Sequence, residues 1–202
     1  RNASLMTLFK QGATLASESD TAFAINGKGF FGVRGADGEI YYTRNGNFQW
    51  SLGSNDTIML TTSDGLPVLD STGDAIALDT DTYVPANITV NAEGELCYPD
   101  ENNNPQPIGI TMGIFQFNNP AGLEKKDGTL YQVTDASGEA LNEATNVALQ
   151  RSEIMQGYLE GSNVQVADEM VNMIIAQRAY ELNSKAIQAS DEMMQQANNL
   201  RR

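Results

Sequence analysis

The stretch from Gly157 to Arg202 reads GYLEGSNVQVADEMVNMIIAQRAYELNSKAIQASDEMMQQANNLRR, and from Ser162 on it holds neither glycine nor proline. So long an uninterrupted run exceeds the usual globular helix of about 8–20 residues. Ser162 and Gln165 have the Ser-x-x-Gln spacing of a capping box, which satisfies two amide donors at a helix start. Asp168 and Glu169 stand near the positive end of the helix dipole, Arg201 and Arg202 near the negative end. The pattern predicts a rod over 162–202, roughly 60 Å long at about 1.5 Å per residue.

Along that rod Val171, Ile175, Ala179, Leu182, Ala186, Ala189, Met193, Ala197 and Leu200 recur at steps of three or four. They fall on one helical face, where the alanines admit a second helix at close range. A weaker stripe runs through Val166, Met170, Met173, Tyr180, Ile187 and Met194, broken by Gln177, Ser184 and Asp191. Two partly apolar faces call for more than one neighbour. The remaining sequence holds little helix to supply one, so the expected partner is another chain.

The segment LEGSNVQVADEMVNMIIAQRAYELNSKAIQASDEMM closely resembles the C-terminal signature of the bacterial flagellar rod and hook family. Asn163, Asn172, Gln177, Arg178, Tyr180, Asn183 and Lys185 carry much of the likeness. Within the family the chain is most similar to the distal-rod branch. The resemblance implies a terminal helix in the core of a helical tube. It also implies a matching Asn-rich N-terminal helix, which does not occur in these 202 residues. Half of the family's helical core is therefore expected to lie outside this sequence.

The formal charge of −14 is uneven. From Ser162 on, five acidic residues face four basic ones, which leaves −13 on residues 1–161. Such an acidic part argues against nucleic acid or an anionic membrane as partner, and the near-neutral end suits a packing element. Cys97 is the one cysteine, so no internal disulfide is expected. No apolar run reaches the 18 or so residues of a membrane span, and no signal peptide is visible.

Residues 1–20 predict an N-terminal arm or short helix, with an apolar cluster at Leu5, Met6, Leu8 and Phe9. From Thr21 the pattern turns to strand. Ala22–Ile25 leads through the Asn26-Gly27 turn to Phe30–Val33, and Gly35–Gly38 turns into Ile40–Thr43 as a hairpin. Between Ser51 and Pro107 short strands alternate with turns: Ile58–Thr62, Pro67–Leu69, Ala75–Leu78, Ile88–Val90 and Glu95–Tyr98. That spacing predicts a sandwich or barrel rather than a parallel sheet. The segments AINGKGFF, YTRNGNF and ITVNAEGEL resemble the family's β-rich part. Ile108 to Phe117 reads as one long strand, with Ile108, Ile110, Met112 and Ile114 on one face and Phe115 and Phe117 on the other. Its glycines imply either a close backbone approach or a thin exposed face.

Chemistry-bearing patterns are scarce. No histidine is present, which removes histidine-based triads and leaves no zinc ligand set. Cys97 reads as a packing thiol, since no base sits beside it. Asp79 and Asp81, or Asp100 and Glu101, lack the loop ending in glutamate of an EF-hand and read as solvated turn carboxylates. Gly27-Lys28-Gly29 lacks the spacing of a phosphate loop. Ser184 and Lys185 are adjacent on a helix and cannot face each other, whereas Lys185 is one turn from Glu181. No catalytic, cofactor or metal site is expected.

The sequence therefore predicts a mainly β protein with a long C-terminal helix. Its parts are an arm over 1–20, a sandwich- or barrel-like β domain over 21–140, a connecting arm over 141–161 and a helix over 162–202. The helix packing residues are expected to be Val171, Ile175, Ala179, Leu182, Ala186, Ala189, Met193 and Leu200. The resemblance implies a structural, non-enzymatic subunit of the basal-body rod. Such a subunit associates with itself and with other rod and hook subunits to transmit torque. It leaves the cytoplasm through the flagellar secretion apparatus without a cleaved signal peptide. No nucleic acid, small-molecule substrate or membrane insertion is expected. The alternatives are a proximal-rod or hook paralogue, or an adhesin-like β domain on a coiled-coil stalk.

Overall fold

Phe30 and Phe31 show how the β part is built. Successive side chains of a strand point to opposite faces, and these two neighbours enter different cores. Phe31 joins the larger cluster with Phe23, Ile25, Val33, Leu60 and Met112. Phe30 joins a smaller one with Tyr42, Phe115, Phe117 and Leu123. The sheet between them is apolar on both faces. Each fully buried Phe or Leu contributes about 1.5–3 kcal/mol relative to exposure.

This architecture comes from a computed structural model that describes residues 9–53, 56–164 and 166–199. The chain divides into two compact units that meet at Ser162 and Asn163. Among the described residues the first is built of β-strands, with short 3-10 turns at Pro85–Asn87 and Pro120–Gly122. Its largest sheet has six strands in the order Glu124–Lys125, Tyr131–Gln132, Ile40–Thr43, Phe30–Arg34, Ile114–Gln116 and Leu141–Asn142. Two three-stranded sheets are made by Phe48–Leu52, Thr57–Thr62 and Ala77–Asp79, and by Pro105–Thr111, Glu95–Pro99 and Thr89–Val90. Two ribbons complete it: Glu153–Gln156 against Phe23–Asn26, and Thr14–Ala16 against Tyr158–Glu160. Pairings are antiparallel, and among the described residues the sheets close into no barrel.

The long strand expected over 108–117 is two strands. Pro105–Thr111 pairs with Glu95–Pro99, whereas Ile114–Gln116 pairs with Phe30–Arg34 in another sheet. The chain changes sheet at Gly113, whose amide donates to Leu69 O at 2.9 Å. A Cβ there would lie 2.4 Å from Asp70 O, so only glycine admits this approach. The alternation itself holds across the break. Ile108, Ile110, Met112 and Ile114 all meet the larger core, and Phe115 and Phe117 the smaller. Gly109 takes the other expected role, at φ +81° with open space around it.

Residues 141–161, expected as a connecting arm, supply the paired strands Leu141–Asn142, Glu153–Gln156 and Tyr158–Glu160. In the expected arm over 1–20, Phe9 packs edge-on against Phe30 and Tyr131, and Thr14–Ala16 is a strand. Leu5, Met6 and Leu8 lie outside the described residues.

The second unit is the helix Val166–Asn199, 34 residues long. At about 1.5 Å per residue it extends roughly 51 Å. No helix among the described residues is long and apolar enough to cross a membrane.

Candidate assembly surface

Among the described residues the terminal helix has no second element within its own unit, so its apolar stripe is uncovered there. Val171, Ile175, Leu182 and Met193 are 55–67% exposed, and Ala179, Ala186 and Ala189 are exposed between them. At about 100° per residue these seven positions fall within an arc of about 80°. Leu200, the eighth, lies outside the described residues, as do Gln165 of the expected capping box and Arg201 and Arg202. The second stripe is equally open: Met170, Met173, Ile187 and Met194 are exposed, and Tyr180 is 77% exposed.

The signature residues surround the main stripe rather than fill it. Asn172 and Asn183 border it on one side, Arg178 and Lys185 on the other, while Gln177 and Tyr180 fall on the opposite face. Asn163 precedes the helix. Glu181, expected opposite Lys185, instead accepts from Arg178 Nη1 at 3.0 Å, three residues back. Such an exposed pair contributes little stability on its own. An apolar seam with polar borders is what a helix-to-helix interface needs. A lone helix of this length also gains most of its stability from packing.

Within the β unit, Arg44 forms a hub that sequence reasoning missed. It follows the strand Ile40–Thr43, and its guanidinium reaches into the crook of the Gly27–Gly29 turn. Nη1 donates to Gly27 O and Gly29 O, both at 2.7 Å, and Nη2 to Ile25 O at 3.3 Å. Nε and Nη2 both donate to Glu160 Oε2, at 2.8 and 2.6 Å. The carbon of the guanidinium lies 5.8 Å from the Phe30 ring centroid. The other carboxylate oxygen of Glu160 accepts the Gly12 amide at 2.9 Å. Beside it, Gly161 donates to Ala13 O at 2.8 Å. Arg44 and Glu160 are 116 residues apart, so no local signal links them.

A second missed group is Glu143, only 5% exposed. Its Oε1 accepts from Gln116 Nε2 and Ser152 Oγ, both at 2.8 Å, and its Oε2 from the Ser152 amide at 2.6 Å. Ser152 Oγ in turn accepts the Gly29 amide at 3.1 Å. The network has donors for every acceptor it buries, as a buried carboxylate requires.

Cys97 is buried, with Sγ 3.6 Å from Glu95 O. Burial, with Glu95 and Glu93 adding to it, pushes its thiol pKa up, the reverse of a nucleophilic thiol. The Asp100 carboxyl is held below the usual range by the backbone amides of Asn104 and Asn102, which close a turn around it. Asp79 likewise accepts the Asp81 amide at 2.9 Å. Among the described residues no three metal-ligating side chains converge. A crevice between Phe23, Trp50, Leu60 and Leu96 has Gln156 as its polar wall. The Gln156 amide is committed to Asp20 O at 2.7 Å and the Val90 amide at 2.8 Å.

Comparison with known families and proteins meets this geometry at both ends. Residues 155–200 match the family described as flagellar basal body rod FlgEFG protein C-terminal. Residues 24–98 match the flagellar hook protein FlgE/F/G D1 domain. The chain is 40% identical to the flagellar basal-body rod protein FlgG of Borreliella burgdorferi, over 99% of its own length and 72% of that protein. It is 34% identical to the protein of the same name from Bacillus subtilis, over 97% of its length and 71% of that protein. To the flagellar hook-basal body complex protein FlhP of Bacillus subtilis it is 32% identical, over 82% of its length and 59% of that protein.

Proposed function

The chain belongs to the flagellar basal-body rod and hook family, most similar to the distal rod FlgG, and from that premise we propose how this structural rod subunit joins its neighbours. The stripe Val171, Ile175, Ala179, Leu182, Ala186, Ala189, Met193 and Leu200 packs against helices of other subunits. Copies of this chain and other rod and hook subunits supply those helices. The acidic β unit, 21–140 at its centre, stays on the outside of the polymer. Torque passes along the rod through the buried seams, and the chain performs no catalysis. It reaches the basal body from the cytoplasm through the flagellar secretion apparatus, without a cleaved signal peptide.

One observation carries the reading: a 34-residue helix with an apolar seam, polar borders and, among the described residues, no element of its own unit to cover it. The hook, proximal-rod and adhesin-like alternatives are not favoured by the relatives, which match nearly the whole chain and are named as rod proteins.

Ala186→Glu places a charge in the middle of the seam, where burial without a partner costs several kcal/mol at every repeat of the interface. Gln188→Glu, two residues on and turned away from the stripe, adds the same charge elsewhere. The first variant is expected to abolish rod completion and swimming while the β unit melts at the wild-type temperature. The second is expected to swim. Normal motility from Ala186→Glu, or equal damage from both, refutes the packing face.

A further inference from the structure

The strand Tyr158–Glu160 is the last of the β unit, and only Gly161 and Ser162 separate it from the helical unit. A pull on the helix is passed along the chain into this end of the β unit. The ribbon it forms with Thr14–Ala16 is weak by itself: three residue pairs, with every residue of Thr14–Ala16 exposed. An antiparallel ribbon pulled from one end opens one pair after another, so the strongest contact near the pulled end sets the resistance. Gly161 gives one amide bond to Ala13 O, and the charged contact beside it is Glu160. Its carboxylate is gripped twice by Arg44 and once by the Gly12 amide, and both charged side chains are largely buried, at 18% and 14% exposure.

Arg44 is itself fixed from behind. Two strong bonds to Gly27 O and Gly29 O and the face of Phe30 hold the guanidinium to the body of the β unit. Force on Glu160 therefore bypasses the ribbon and enters the core through Phe30. A planar fork with donors on several edges can hold a carboxylate and two carbonyls at once, which an ammonium cannot do with the same geometry.

We propose that Arg44 and Glu160 form a mechanical latch that passes load between the terminal helix and the β core. Arg44 is a positioning residue in this role. The load is that of the proposed rod, but the latch stands on its own geometry and its test needs no rod. Failure of the latch test leaves the helix seam intact, and failure of the Ala186→Glu test leaves the latch intact.

Single-molecule pulling on the full chain separates this role from ordinary stabilisation. One handle is placed at the C-terminus and the other at Asp64→Cys, an exposed turn position. A second geometry pulls between Asp64→Cys and Asp127→Cys, both exposed and both remote in sequence from the ribbon. Glu160→Gln and Arg44→Lys are compared with the parent, which keeps the Arg44–Glu160 pair, in each direction. At fixed force from the C-terminus, both variants are expected to open about tenfold faster or more, the kinetic equivalent of one charge-assisted hydrogen bond. In the internal direction their opening rates should stay within about twofold of the parent, since that path does not start at the ribbon. Should Glu160→Gln fail to fold, Arg44→Lys, which keeps the charge, carries the same comparison. Equal weakening in both directions makes the pair a structural bridge only and overturns the latch. Unchanged opening from the C-terminus overturns it as well.

Discussion

Glu143 offers the sharpest test of the energetics in the β unit. Removing its side chain with Glu143→Ala deletes three hydrogen bonds, from Gln116 Nε2, Ser152 Oγ and the Ser152 amide. The losses are unequal. Gln116 Nε2 keeps Gln150 O at 2.7 Å, and Ser152 Oγ keeps the Gly29 amide as donor. The Ser152 amide and the Ser152 hydroxyl proton are left without an acceptor in a nearly dry site. Each orphaned donor costs about 1–3 kcal/mol, and water entering the vacated space returns part of it. The net expectation is a loss of about 3–4 kcal/mol, a large part of the roughly 5–15 kcal/mol that holds a typical domain. Glu143→Gln keeps one acceptor oxygen but turns an amide N–H toward the Ser152 amide, so about 2 kcal/mol should be lost. Trp50 is the chain's one tryptophan and sits in the β unit, so its fluorescence during urea or thermal unfolding reports on that unit alone. Glu143→Ala should lower the midpoint by about 10 °C, at about 2–4 °C per kcal/mol for a domain of this size. Glu139→Ala, at an exposed position nearby in sequence, should leave it unchanged. A loss under about 1 kcal/mol for Glu143→Ala would show that the network is not held as the distances imply.

Two smaller predictions follow from buried groups. Cys97→Ser should fold and assemble, losing about 1–2 kcal/mol for a hydroxyl in a site that suits sulfur; lost assembly with an unchanged melting curve would instead mark a reactive thiol. Burial holds the Tyr42 phenol above its ordinary value of 10.0, and Tyr131 likewise. The folded state then keeps these protons more tightly than the unfolded chain, so the stability they contribute is complete below about pH 10 and is lost as pH rises through the folded value. Tyr42→Phe should flatten the alkaline fall in stability with little effect at pH 7, and equal alkaline slopes in parent and variant would refute this assignment.

The features legible in the sequence are those that a few neighbouring residues decide. A helix over 166–199 follows from the absence of glycine and proline and from apolar steps of three and four, all within reach of one or two turns. The faces of Ile108–Phe117 follow from strict alternation, which survives even where the chain leaves one sheet for another. The turn at Gly35–Gly38 and the hairpin across it are equally local.

Tertiary structure decided the rest, because the partners involved are far apart along the chain. Nothing around Ile108–Phe117 announces that Asp70 will press against Gly113 and divide the run. Residues 141–161 carry no long strand pattern, yet they are paired into three sheets or ribbons because edges of those sheets stand open to them. Arg44 and Glu143 look in sequence like any surface charge. Each became a hub, Glu143 buried and Arg44 partly so, only when folding brought carbonyls, amides and side chains from distant segments around it, since a charge leaves water only where such partners already converge. The helix is the opposite case. Its pattern is wholly local, and among the described residues its stripe is left uncovered in its own unit.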